Sequence, residues 1–259
     1  MRNILAIVER ELRAYFNSPI AYVVLTMFIF LSGIFFRSIL FQVLQAAMIA
    51  QMQAQQLGPR PMDMPGIISR NFLSTMSVIM LFIMPMLTMG LFSEEKKRGT
   101  IELLLTAPLT DLQVVLGKFF AAGAFFIIML LTTWIPTGAL YLYGSPASGP
   151  ILTAYLGLLL YGLAIIALGL FISTLTENQI IAAVLSFGTI MVLWLVDVMA
   201  NNSDSPATKS VLSYLSILSH LEDFMKGVLS TSNIIFYVSL MLVGLFLTYR
   251  SVDSLRWRG

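Results

Sequence analysis

The densest group of reactive side chains in this sequence is the run Glu94, Glu95, Lys96, Lys97 and Arg98. Such a run can bind another protein, but it does not make a catalytic set. Carboxylate catalysis needs two acids placed to share a proton, and a serine nucleophile needs an adjacent base. The chain has one histidine and no cysteine, which excludes thiolate metal sites and argues against a histidine-built one. We therefore expect these charges not to catalyse. They are either a solvated run followed by ordinary helix capping or a surface for another protein.

A nucleotide site is also missing from the sequence. Gly117 and Lys118 lack the upstream glycine of a G-x-x-x-x-G-K-[ST] phosphate loop and are followed by Phe119. The lone His220 is interpreted as a structural side chain, with a proton or substrate contact as the alternative. We expect no cofactor in this chain and no enzymatic activity of its own.

The composition is that of an integral membrane protein. Of the 259 residues, 58% are hydrophobic and 11% are charged, and the mean hydropathy is +0.88. Soluble domains carry about a quarter charged residues, so that class is excluded. The net charge of +2 gives no argument for binding nucleic acid.

Apolar runs predict an all-α fold with six transmembrane helices in a single domain, residues 1–259. Each crossing needs about 20 apolar residues. The run from Phe119 to Thr176 has no charge and contains a turn-rich stretch at 143–150, so it predicts two antiparallel spans. The predicted spans are 20–40, 71–93, 113–143, 151–173, 178–198 and 232–250.

Three further segments complete the predicted architecture. Residues 2–16 read as an amphipathic helix lying in the cytoplasmic interface, either as an anchor or as a mechanical link to a partner. Residues 38–57 are uncharged but rich in glutamine, which favours a helix projecting beyond the outer face. Between spans five and six, short helices are expected to dip into the outer interface as a re-entrant segment.

The positive charges predict the orientation of the chain. With both termini in the cytoplasm, ten of the fifteen Lys and Arg residues are cytoplasmic: Arg2, Arg10, Arg13, Lys96, Lys97, Arg98, Lys118, Arg250, Arg256 and Arg258. Asp197 then lies near the outer end of span five. A carboxylate within a membrane is costly and usually functional, so Asp197 is a candidate pathway or ion residue, unless it simply faces water.

The segment SEEKKRGTIELLLTAPLTDLQVVLGK, residues 93–118, resembles the cytoplasmic loop of type-2 ABC-transporter permeases. The shared pattern is a charged cluster, Gly-Thr, an acidic residue, leucines, a proline and a lysine that enters the next span. The N-terminal ERELRAYFNSPIAYV and the six spans also resemble that family. The final YRSVDSLRW is similar to its gliding-motility-associated branch.

The resemblance implies that loop 93–112 holds a coupling helix seated on a cytoplasmic ATPase, which would bind ATP and Mg²⁺. The residues that it assigns to ATPase coupling are Glu94, Glu95, Arg98, Gly99, Thr100, Glu102, Leu103, Leu104, Pro108 and Lys118. Their chemistry suggests that Glu95 and Glu102 meet donors on the ATPase. Leu103 and Leu104 would form an apolar seat, and Gly99 and Pro108 would set the helix ends.

The family further implies a second permease, identical or related, and an exporter in a bacterial inner membrane. An accessory membrane or periplasmic protein is a further possible partner. The alternative function is an ion-driven secondary transporter or channel without an ATPase, in which Asp197 would be the residue of interest.

Overall fold

The computed structural model of the chain describes residues 2–57, 63–100, 109–202 and 205–256. Throughout these ranges the regular secondary structure is α-helical. The helices are α1 (Arg2–Asn17), α2 (Pro19–Leu57), α3 (Met64–Thr88), α4 (Ser93–Lys97), α5 (Asp111–Thr132), α6 (Trp134–Tyr143), α7 (Ser148–Ser173), α8 (Gln179–Asn201), α9 (Pro206–Leu215), α10 (Ser219–Met225) and α11 (Thr231–Arg256).

Six helical segments of the described chain are long and apolar enough to cross a membrane, which confirms the predicted fold class. They are Pro19–Met52, Met64–Lys97, Asp111–Tyr143, Ser148–Ser173, Gln179–Ala200 and Thr231–Ser254. The segments that start at residues 64, 111 and 148 are 67% buried in their most apolar window, whereas the other three are 17–22% buried. The bundle therefore has three central spans, α3, α5 and α7, and three peripheral ones, α2, α8 and α11.

Small residues let the central spans approach closely. A Cβ atom at Gly169 would lie 2.2 Å from Oγ1 of Thr88, and one at Gly162 would lie 2.2 Å from the ring of Phe126. Both glycines belong to α7, and their neighbours belong to α3 and α5. Glycines in spans commonly serve such contacts, and these two are used within the chain.

Helix α2 is unusually long. Its 39 residues extend about 58 Å at 1.5 Å per residue, nearly twice the roughly 30 Å of a hydrocarbon core. The sequence suggested a span followed by a projecting helix, and the structure joins both in one uninterrupted helix. The glutamine-rich part continues the direction of the span.

Helix α1 runs parallel to the first half of α5. Asn3 donates a hydrogen bond to Gln113, Ile7 packs over Gly117, and the ring of Tyr15 stacks on Phe125 with centroids 5.3 Å apart. The residue numbers of the contacting partners increase together on both helices, so the two helices run in the same direction. Part of the apolar face that was expected in the headgroup region is therefore covered by protein.

Candidate functional site

The second span ends in a turn that is bonded to the end of α7 through the hydroxyl group of Ser173. Residues 89–97, where α3 gives way to α4, form what we call the junction. Oγ of Ser173 accepts hydrogen bonds from the amides of Phe92 and Ser93, at 2.9 and 3.1 Å, and donates to the carbonyl of Met89 at 3.0 Å. Backbone groups at helix ends need such partners when buried. Ser173, the last residue of α7, is fully buried and therefore ties the junction to α7.

The residue that follows α7, Thr174, extends this connection to the last span. The carbonyl of Thr174 accepts a hydrogen bond from Nζ of Lys96 at 2.5 Å. Its hydroxyl donates to Oγ of Ser251 in α11 at 2.8 Å. A short chain of hydrogen bonds thus leads from α4 through the end of α7 to α11.

Glu95 connects the junction to α5 and α1. Its Oε1 atom lies 3.0 Å from Nζ of Lys118 and 3.2 Å from Nη2 of Arg10. Lys118 also pairs with Oε1 of Glu11 at 3.1 Å, and its ammonium lies 5.2 Å from the ring centroid of Phe92. The Lys118 side chain is 1% exposed. A buried ammonium is tolerated only with good partners, and here two carboxylates supply them.

The same contacts shift the pKa values of two side chains of α1, Glu11 and Arg10. Burial of the Glu11 carboxyl alone would raise its pKa, but the charges of Lys118 and Arg10 outweigh it and leave the pKa below its ordinary value. Burial of Arg10 would lower its pKa, but hydrogen bonds and charge from Glu11 and Glu95 raise it overall. Glu11 and Glu95 each contact both Arg10 and Lys118, so the four side chains form one ionic network.

The structure places the expected coupling residues in two groups. Glu94 forms an i,i+4 ion pair with Arg98 on the exposed side of α4. Glu95 and Lys118 point inward. The Oε2 atom of Glu95 is buried and has no hydrogen-bond partner among the described residues. The predicted contact of Glu95 with an ATPase stays a prediction, and its Oε1 atom is used within the chain.

Gly99 and Thr100 close α4. Gly99 has φ of +68°, a left-handed conformation that favours glycine at a helix C-terminus. The amides of Gly99 and Thr100 donate to the carbonyls of Lys96 and Glu95, at 3.1 and 3.0 Å. The remaining predicted coupling residues lie outside the described residues: Glu102, Leu103, Leu104 and Pro108.

The chain re-enters the bundle through a capping box. Oγ1 of Thr110 accepts a hydrogen bond from the amide of Gln113, and Oε1 of Gln113 accepts one from the amide of Thr110. The sequence offers Thr110 or Asp111 as the N-cap of this helix, and in the structure the N-cap is Thr110. This arrangement fixes the start of α5 two turns before Lys118.

Sequence reasoning missed Ser173 and Glu11. Only Lys118 could have pointed to Glu11, because a lysine near the start of an otherwise apolar span needs an acidic partner. The amphipathic helix offers Glu9 and Glu11, but their positions in the sequence do not tell which one faces α5. A serine at the end of an apolar span gives no sign of its partner.

Asp197 and His220 lie at the other end of the bundle. Oδ1 of Asp197 accepts hydrogen bonds from the hydroxyls of Ser216 and Ser219, at 2.7 and 2.6 Å, and so holds the turn between α9 and α10. The two ring nitrogens of His220 lie 2.8 Å from Oδ1 of Asn233 and 3.0 Å from the carbonyl of Tyr214. Across the described ranges no three His, Asp or Glu side chains gather as metal ligands.

Comparisons with known proteins point to one family. The probable multidrug ABC transporter permease YbhR of Escherichia coli strain K12 is 27% identical over 138 residues, which are 52% of this chain and 37% of YbhR. The probable multidrug ABC transporter permease YbhS of the same strain is 31% identical over 121 residues, 46% of this chain and 32% of YbhS. The chain thus matches about a third of the length of these relatives.

The sequence pattern of the ABC-2 type transporter family, in contrast, matches this chain over residues 2–230. That range includes α1, the junction and the short helices α9 and α10. It also includes five of the six spans, which are α2, α3, α5 with α6, α7 and α8. The structure has the several membrane-spanning helices that a transporter's transmembrane subunit requires. The chain belongs to the ABC-2 type transporter family.

Proposed function

We propose that this protein is the membrane-spanning permease subunit of an ATP-driven ABC transporter. Cytoplasmic ATPase subunits on separate chains bind ATP and Mg²⁺, and residues 1–259 act as one permease domain. The observation that carries the proposal is the junction: the short helix α4, which precedes the loop expected to meet the ATPase, is bonded to α1, α5 and α7 at once.

These bonds suggest how force would pass into the membrane. A push on loop 93–112 displaces α4, and α4 is tied through Glu95 to Lys118 and through Ser93 to Ser173. Packed interfaces of this kind move as units. Closure of the ATPase would therefore shift α3, α5 and α7 together and open a pathway where two permeases meet.

The peripheral spans support a dimer. Large apolar side chains are exposed along α2 and α8, including Phe30, Phe41, Val184 and Val192. Lipid covers part of this surface, and the second permease, identical or related, covers the rest. The part of α2 that extends beyond a bilayer thickness is a suitable contact for an accessory membrane or periplasmic protein.

Export from a bacterial cytoplasm is the proposed direction. The printed names of YbhR and YbhS describe them as probable multidrug permeases, a class of exporters. The excess of Lys and Arg near the junction supports an inner-membrane protein with both termini in the cytoplasm.

Purification of the tagged chain from its native cells in mild detergent, followed by mass spectrometry, tests the proposal. We expect an ATPase with a phosphate loop in stoichiometric amount, together with any second permease. Recovery of the chain alone across several detergents, with activity that follows an ion gradient and not ATP, would instead establish the ion-driven alternative.

A further inference from the structure

His220 is the one histidine of the chain, and it lies buried where three helices meet. It belongs to α10 and is 7% exposed. Its Nε2 atom lies 3.0 Å from the carbonyl oxygen of Tyr214, and its Nδ1 atom lies 2.8 Å from Oδ1 of Asn233. These two contacts connect α10 to the end of α9 and to the start of α11.

Both partners of the His220 ring are hydrogen-bond acceptors. The carbonyl of Tyr214 can only accept. The amide of Asn233 is oriented by Asp223, because its Nδ2 atom donates to Oδ2 of that carboxylate at 2.9 Å. An ionised carboxylate only accepts, so turning the amide over would place two oxygens against each other. The oxygen of Asn233 therefore stays directed at His220.

Two acceptors require two donors. A neutral imidazole has one N–H group, whereas the protonated ring has two. Both contacts of His220 are therefore hydrogen bonds only when its ring carries the extra proton. In the neutral ring, one nitrogen directs a lone pair at an oxygen, and that contact becomes repulsive.

The surroundings also suit a positive ring. The carbonyl of Tyr214 is one of the last in α9, and the C-terminal end of a helix attracts cations. The ring of Phe236 stacks on the imidazole of His220 with centroids 3.9 Å apart, and aromatic faces attract cations. Buried charges need partners of this kind.

Two tyrosine rings also border His220, those of Tyr214 and Tyr237, with centroids 6.0 and 6.5 Å away. Helix α7, which packs against α10, has no charged residue. The charged side chains on the other elements around it have these contacts: Arg70 on α3 and Lys226 lie within 4.0 Å of Glu222, Asp197 on α8 accepts from Ser216 and Ser219, and Lys209 on α9 is exposed. Among these side-chain types, histidine alone ordinarily changes its charge between about pH 5 and 8.

We propose that His220 is a proton-binding site that controls how α9 is held to α10 and α11. With the proton bound, the ring donates to Tyr214 and to Asn233 at once. Without it, Nδ1 keeps its N–H group, because the oxygen of Asn233 stays in place, and the bond from Nε2 to α9 is lost. In the orientation proposed above this segment lies at the outer face, so the external pH sets its state.

Nitrogen-15 NMR of the purified chain, labelled in the histidine ring and carrying a tag without histidine, tests the site. The single histidine gives one pair of ring signals, and couplings to the ring protons tell the two nitrogens apart. We expect both nitrogens to be protonated near about pH 5 and the neutral ring at about pH 8 to carry its proton on Nδ1. A neutral ring with its proton on Nε2, or a ring whose charge does not change over this range, would overturn the proposal.

Asp223→Asn tests the role of the amide orientation. The introduced amide can donate as well as accept, so Asn233 can turn over and donate to a neutral ring. We expect the proton of the neutral ring to move to Nε2, where it bonds to Tyr214. The matched control is Glu222→Gln, which removes a neighbouring carboxylate that pairs with Lys226 and should leave the proton on Nδ1. A proton on Nδ1 in both variants would contradict the assigned role of Asp223.

Hydrogen exchange in the peptide covering residues 208–215 measures the attachment of α9. The rate is divided by that of His220→Gln at the same pH, which removes the intrinsic pH dependence of exchange. We expect this ratio to rise about fivefold from about pH 5 to about pH 8, as for the loss of one hydrogen bond. A constant ratio would overturn the control of α9 by the proton. These measurements use neither ATPase nor ATP, so their failure would leave the transport proposal untouched.

Discussion

Lys118 in α5 and Glu95 in α4 form an ion pair at 3.0 Å, in which the Lys118 side chain is buried and the Glu95 side chain is partly buried. The coupling loop begins after α4 and ends at Thr110. The ion pair therefore connects the two helices between which the loop runs. Any force on the loop is applied to a segment whose two ends are already joined. The pair joins the described residues on the two sides of the loop directly.

Lys118→Met should destabilise the protein by about 1–3 kcal/mol, because the partly buried carboxylates of Glu11 and Glu95 lose their shared cation. The measurement is the midpoint of thermal unfolding in detergent. Lys97→Met, on the exposed side of α4, should change stability by no more than about 0.5 kcal/mol. Adding Glu95→Gln to Lys118→Met should restore part of the loss. Equal midpoints for the two single variants would contradict the assigned role of Lys118.

Ser173→Ala should open the junction. The amides of Phe92 and Ser93 would lose their acceptor in a buried site, at a cost of about 1–3 kcal/mol for each unsatisfied group. Hydrogen exchange in the peptide covering residues 89–97 should become faster. In Ser239→Ala, which removes an exposed hydroxyl bonded within its own helix, exchange in that peptide should stay unchanged. Unaltered exchange in Ser173→Ala would show that another group satisfies these amides.

Gly117→Ala should displace α1. The added Cβ would lie 2.5 Å from Cγ2 of Ile7, and overpacking of this kind costs about 1–3 kcal/mol. Gly138→Ala is the matched control, since a Cβ there meets nothing within 4 Å and alanine favours a helix. We expect a lower unfolding midpoint for the first variant and an equal or higher one for the second. The reverse order would mean that α1 does not pack on α5.

Stability should fall in acid partly through Glu11. Its pKa in the folded state lies below the ordinary value of 4.5, so the unfolded chain takes up the proton more readily. The stabilisation by Glu11 is therefore complete above about pH 4.5 and disappears as the pH falls through the folded-state pKa. Glu11→Gln should lower the unfolding midpoint near neutral pH and reduce its decrease on acidification. A decrease as steep as in the parent chain would assign the acid sensitivity to other carboxylates.

Glu102→Lys should leave membrane insertion intact and reduce binding of the ATPase, since it reverses a charge in the expected contact. Co-purification from membranes, normalised to the amount of permease, measures this effect. Lys97→Met provides a control on the same cytoplasmic segment. Normal recovery of the ATPase with Glu102→Lys would remove Glu102 from the contact.

Hydropathy predicted the six spans because each crossing requires a long run with few charges. It did not predict which spans are central. Helix α7 is buried and α8 is largely exposed, yet both are strongly apolar, with mean hydropathies of 2.4 and 2.2. Lipid and protein interiors favour the same side chains, so composition cannot separate them.

The expected coupling site was inferred from a resemblance to a family, whereas the contacts of its described residues required the structure. A cap at Thr110 or Asp111 could be predicted because capping is local in sequence. The pair between Glu11 and Lys118 joins residues 107 positions apart, and no local pattern encodes it. The amphipathic pattern of α1 was visible, but a membrane surface and the side of another helix both fit an apolar stripe.

The hydroxyl of Ser173 imposes an order of events on biosynthesis. The amide of Phe92 can form its hydrogen bond to Ser173 only after the ribosome has added 81 further residues. At 5–20 residues per second this takes about 4–16 s. During that interval the end of α3 has to remain in a hydrated setting or in the insertion machinery. The peripheral α2 can enter the lipid early, whereas the central spans are completed only when α7 arrives.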